Sequence, residues 1–179
     1  GEALISTVLF DTVSEVLHDR VPVKDIRPLT ERDYTVRGCT ALLDAIGGAI
    51  HHMRTIHKYA RAEDVPEHTM FIITTDGIEN ASRRYSREKV KRMIERQKAT
   101  YGWEFLFLGA NMDAIETAGQ VGIGADRAVN YQCDSEGTAL NYEVVSEAIR
   151  SVRCSEPLCA EWKQRIDEDY KQRGSRKHP

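Results

Sequence analysis

The chain has 179 residues, enough for one domain with a proper core and too few for two large ones. Hydrophobic residues at 41% and charged residues at 30% give the balance of a soluble globular protein and exclude a disordered one. A formal net charge of −3 offers no whole-chain attraction to nucleic acid or to an anionic membrane, and no apolar run approaches the roughly 20 residues of a membrane span.

In chain order, Ala3 to Phe10 is rich in Leu, Ile, Val and Phe and reads as a buried strand. Val13 to His18 follows after two or three residues, so the pair predicts a hairpin. Val21 to Pro28 holds two prolines and no helical period, which predicts a loop. Leu42, Leu43, Ile46, Ala49, Ile50, Met53 and Ile56 recur at helical spacing, with Thr40 as the expected N-cap and Asp44 in the first turn. Met70 to Thr75 reads as a fully buried strand. Ser86 caps a second expected helix with a stripe at Val90, Met93 and Ile94, ended by Gly102. Trp103 to Leu108 predicts another strand, Met112 to Ala118 a short helix, Asp126 to Tyr131 a last strand, and Asn141 to Val152 a final helix. Residues 1–152 are thus expected to form one domain. Residues 153–179 are expected to be a charged C-terminal helix and a disordered tail. Strands alternating with helices from Met70 onward imply parallel strands and right-handed crossovers. The fold class expected is α/β: a three-layer, doubly wound, Rossmann-like and mostly parallel sheet, with the initial hairpin supplying an antiparallel edge strand.

Two polar loops stand out. Arg37-Gly38-Cys39-Thr40-Ala41-Leu42 opens the first helix. Thr74-Thr75-Asp76-Gly77-Ile78-Glu79-Asn80 ends the buried strand, so a carboxylate and a turn glycine fall at a strand's carboxyl end, where open α/β sheets bind ligands. Together the loops resemble two of the three metal-ligating segments of a von Willebrand factor type A domain, over roughly Ala3 to Val152. The resemblance implies a metal-ion-dependent adhesion site for Mg²⁺ or Mn²⁺, with Thr40 and Asp76 as its ligands, since a hard cation takes oxygen donors. The family's Asp-x-Ser-x-Ser segment does not occur here. Its strand and helix would lie before Gly1, so an N-terminally truncated form of the fold is expected, with metal bound weakly or not at all. The resemblance further implies a non-enzymatic protein-interaction module whose partner presents an acidic side chain. Gly38, Gly77, Glu79, Asn80, Asn111 and Asp113 are the expected partner-binding residues. No nucleic acid or membrane partner is expected. Self-association through unpaired strand edges is.

Other signals have simpler explanations. Gly119 to Gly124 has the wrong spacing for a dinucleotide loop and follows a helix. His51, His52 and His57 do not share the i, i+4 spacing of a helical metal pair. Arg83, Arg84, Arg87, Lys89, Lys91, Arg92, Arg96 and Lys98 read as a solvated helix face. Cys39, Cys133, Cys154 and Cys159 fit no zinc pattern, so reduced cysteines and a cytoplasmic location are expected. Two alternatives to the adhesion-type reading are an enzyme or enzyme subunit with a phosphate- or metal-handling α/β domain, and a metal-free scaffolding remnant. A phosphate-binding glycine loop after a strand would mark the enzyme, and none is present.

Overall fold

The structure is a computed structural model that describes residues 2–30, 32–33, 38–110 and 112–174. It is α/β, with a two-stranded antiparallel sheet and a separate three-stranded parallel sheet. The chain divides into two compact units, one of Gly1–Tyr59 with Glu79–Ser86 and one of Ala60–Ile78 with Arg87–Pro179.

In the first unit, β1 (Leu4–Phe10) pairs with β2 (Ser14–Pro22) in an antiparallel ladder from Leu4 opposite Pro22 to Phe10 opposite Ser14. Asp11 closes the turn, its carboxylate accepting the Val13 N–H at 2.8 Å. The hairpin was expected to edge one common sheet; instead it is a sheet of its own. Alternation within a strand reports which face is buried, not which strand lies beside it. The helix α1 (Leu42–Tyr59) buries Leu42, Leu43, Ala45, Ile46, Gly47 and Ile50, the front of the expected stripe. Gly47 is needed there: a Cβ at that position would overlap the ring of Tyr85.

In the second unit, β3 (Met70–Thr75), β4 (Glu104–Gly109) and β5 (Ala128–Asn130) run parallel in the order β3-β4-β5. The helix α2 (Arg87–Tyr101) joins β3 to β4 and α3 (Ala114–Gln120) joins β4 to β5. Two right-handed crossovers running in the same direction put both helices on one face of the sheet. The other face carries Leu106, Leu108, Ala110, Val129 and Tyr131. They pack with Val144, Val145 and Ala148 of α4 (Ser135–Arg153) and Ile166 of α5 (Gln164–Gly174). Every residue of β4 from Phe105 to Gly109 is buried, as a central parallel strand requires. On the α2–α3 face, Phe71 stacks on Trp103 and Phe105 with centroids 5.4 and 5.1 Å away.

Several elements begin or end away from their expected places: β2 runs on to Pro22, α3 spans Ala114–Gln120 and β5 only Ala128–Asn130. The helix α4 starts at Ser135, six residues before the expected Asn141, capped by the Asp134 carboxylate on the Gly137 N–H at 2.8 Å. The C-terminal segment is packed through Leu158, ahead of α5, and Ile166 within it, at 8% and 1% exposure; residues 175–179, placed in the expected tail, lie outside the described residues. No described helix is long and apolar enough to cross a membrane.

Candidate functional site

In the first unit, the expected partner-binding loop is folded back on the start of α1. A helix leaves its first N–H groups without partners. Here Glu79 accepts the Leu43 N–H at 2.8 Å and Ser82 Oγ accepts the Asp44 N–H at 3.0 Å. The cap was expected from Thr40; the donors are met by side chains arriving from almost forty residues later. Thr40 is tied through its main chain. Its N–H reaches Asn80 Oδ1 at 2.9 Å, and the Asn80 N–H reaches its carbonyl at 3.0 Å.

The two carboxylates in this clamp are filled with donors. Glu79 also accepts the N–H groups of Ala81 and Ser82, at 3.0 and 2.8 Å, and the Ser82 hydroxyl at 2.7 Å. Asp44 accepts the N–H groups of Arg83, Arg84 and Tyr85, at 2.9, 2.9 and 2.8 Å. For each, burial alone would raise the carboxyl pKa; the converging N–H groups more than offset it and leave the value lowered. Gly38 is exposed, and a Cβ there would meet open space.

In the second unit, the carboxyl ends of β3, β4 and β5 form a rim. The Thr75 hydroxyl donates to the Gly77 carbonyl at 3.0 Å and fixes the turn, which leaves Asp76 exposed. Ile78, next but one, is 66% exposed. Asp113 is exposed but occupied as the N-cap of α3, accepting the Glu116 N–H at 2.9 Å. Asn130 Oδ1 accepts the Ala114 N–H at 2.9 Å, so the end of β5 also holds the start of α3. The close fit of Gly109 under Ala114 completes that corner. Ile115, in the first turn of α3, is 40% exposed. Asn111 lies outside the described residues, as does Arg37 of the first loop.

Beneath the rim sits Tyr131, 6% exposed. Burial raises its phenol far above the usual tyrosine range, with the neighbouring Cys133 and then the charge of Asp76 adding to the effect. Sequence reading singled out neither Tyr131 nor Ile78. An exposed isoleucine carries no signal until the burial of its neighbours is known.

In the first unit the main chain of Thr40 is tied to Asn80, and in the second Asp76 stands exposed. Glu79 and Asp44 already spend their oxygens on N–H donors, and a cation would have to displace those bonds. No group of three His, Cys, Asp or Glu side chains suited to a metal occurs among the described residues. His52 lies exposed on α1 and meets Asp19 at 3.1 Å. Gly122, at φ 84°, forms the turn after α3, where the dinucleotide-loop pattern had been discounted.

The fold and rim define an α/β protein whose parallel sheet exposes a carboxylate and an isoleucine at its carboxyl edge. Comparison with protein-family models, with curated proteins and with solved structures finds no match to this chain.

Proposed function

We propose that this chain is a non-enzymatic protein-interaction module of the von Willebrand factor type A kind, and that it docks through the rim of its parallel sheet. The single observation carrying this reading is the pairing of exposed Ile78 with exposed Asp76 at the carboxyl end of β3. That is the edge where doubly wound sheets meet their ligands. An apolar anchor beside a charge suits a protein partner, because buried apolar area supplies affinity and the charge supplies orientation. The strand order, crossovers and loop positions support a doubly wound ancestry for the second unit.

The metal-free form of this reading is favoured by one feature, the saturation of Glu79 and Asp44 by main-chain donors. A bound cation would select a partner's acidic side chain. Direct contact with Asp76 and Ile78 selects a cationic group beside an apolar one.

Site-specific photocrosslinking tests the reading. A benzophenone residue is placed at Ile78, at Ile115 or at Arg92 on the exposed face of α2. The first two should trap the same partner, and Asp76→Ala should abolish capture from Ile115. Capture that survives chelator supports the direct contact. Crosslinks from Arg92 alone, weakening steeply with salt, would place docking on the basic helix and remove the rim from consideration.

A further inference from the structure

The charges of α2 are placed against its own stability. Its sequence, from Arg87 to Tyr101, holds six lysines and arginines and two glutamates, in a chain whose formal net charge is −3. The rest of the chain is therefore more acidic than the whole. Val90, Ile94 and Gln97 are buried on one side of the helix, and Arg87, Lys89, Lys91, Arg92, Arg96 and Lys98 are exposed. Arg87 and Lys89 stand in the first turn, where the helix dipole already concentrates positive charge. Arg87 with Lys91, and Arg92 with Arg96, set like charges at i, i+4, a spacing at which they repel. Glu95 relieves Lys91 at 3.9 Å; among the described residues, Arg87, Arg92 and Arg96 make no ion pair. A helix face that needs only solvation alternates its charges. Charge gathered at a cost to the element that carries it marks a contact beyond the fold.

We propose that the exposed face of α2 is a separate docking surface, and that its occupant is an acidic segment of a partner protein, rich in Asp and Glu. A guanidinium fork takes a carboxylate through two parallel hydrogen bonds, and Arg92 and Arg96 stand about one helical turn apart, so neighbouring carboxylates can each be held. Nucleic acid fits this face less well. Base stacking needs aromatic side chains among the cations, and the one aromatic of the helix, Tyr101, is its last residue. The helix is about 22 Å long, and a polyanion reaching past it meets the acidic remainder of the chain. A short acidic segment is instead steered onto the cationic face and repelled elsewhere. This surface stands without the reading given for the rim, since no rim residue takes part in it.

The test titrates the full chain into a fluorescein-labelled octaglutamate peptide and reads anisotropy from about 20 to 300 mM NaCl. Saturable binding is expected, weakening at least about tenfold across that range. Arg92→Glu and Arg96→Glu should each weaken it at least about fivefold. Lys171→Glu makes the same charge change at an exposed position of α5 and should weaken it less than about twofold. Arg87→Glu should weaken the peptide while raising the urea midpoint, because a glutamate suits the start of a helix. No binding at the lowest salt overturns the proposal. So does equal weakening by Lys171→Glu, or a loss of stability in Arg87→Glu, which would show that the arginine serves the fold. Tighter binding of a single-stranded oligonucleotide of matched charge would give the face to nucleic acid and also overturn it. Salt-sensitive self-association without peptide, removed by Arg92→Glu, would make a second copy the occupant and overturn it as well.

Discussion

Substituting Glu79 with alanine should loosen α1 more than any change at Thr40. Loss of an N-terminal cap costs about 0.5–2 kcal/mol. Hydrogen bonds to a charged acceptor are each worth about 1.5–3 kcal/mol when their loss leaves a donor stranded. Glu79 serves four donors, one of them the N–H of Leu43, whose side chain is buried. Water can reach a half-exposed carboxylate position and replace part of this, so the net is about 2 kcal/mol, not the sum. That corresponds to roughly 30-fold more frequent opening of the helix. Native-state hydrogen exchange reads it at Ile46 and Ile50. Their N–H groups bond inside the helix, so mere exposure of the cap is not counted. Thr40→Ala leaves the main-chain bonds to Asn80 intact and should change exchange by less than about threefold. Equal acceleration by the two substitutions, or none by Glu79→Ala, would refute the clamp.

Three further outcomes are expected. Titration calorimetry with Mn²⁺ should give weak binding or none; tight one-to-one binding that disappears in Asp76→Ala would mean the oxygen donors rearrange around a cation. The lowered carboxyls of Asp44 and Glu79 lend stability that is complete above the ordinary carboxyl pKa of about 4 and is lost as pH falls through their lower folded values. Acid unfolding of α1 should therefore be less steep in Glu79→Gln, and an identical slope would count against this assignment. Leu108→Ala, at a fully buried position in the core of the parallel sheet, should cost about 2–5 kcal/mol in urea denaturation followed by tryptophan fluorescence, and a loss below about 1 kcal/mol would contradict the packing described for β4.

Much of the local structure was legible in the sequence. Met70–Thr75 is β3 to the residue, because an unbroken apolar run ends in Asp-Gly and nothing else competes there. The start of α4 was missed because Gly137 and the polar residues around it are poor helix formers. The glycine is present since its backbone lies close against the Gln132 carbonyl, a tertiary reason that propensity does not carry. The pairing of strands was less legible than their existence, and the hairpin's separate sheet followed from neighbours that periodicity cannot name. Of the candidate site, Asp76 stands exposed at the strand end where Asp-Gly placed it. Glu79 and Asn80 were marked as polar loop residues, but their partners lie almost forty positions away, and no local pattern distinguishes a carboxylate aimed at solvent from one aimed at a helix start. Asp113 carried a readable signal, an acidic residue three places before Glu116 at the head of an expected helix, which is the spacing of a cap.

The clamp also sets an order of events during synthesis. The first turn of α1 is made well before Glu79, Ser82 and the segment through Ser86 that close over it, and β3 is made in between. At about 5–20 residues per second, the roughly forty intervening residues take on the order of 2–8 s. Through that interval the Leu43 and Asp44 amides have only water as a partner, and the nascent helix has no cap to resist fraying. A ribosome pausing just before the codon for Glu79 would prolong a state in which the first unit cannot finish folding, although every strand it contains has already been made.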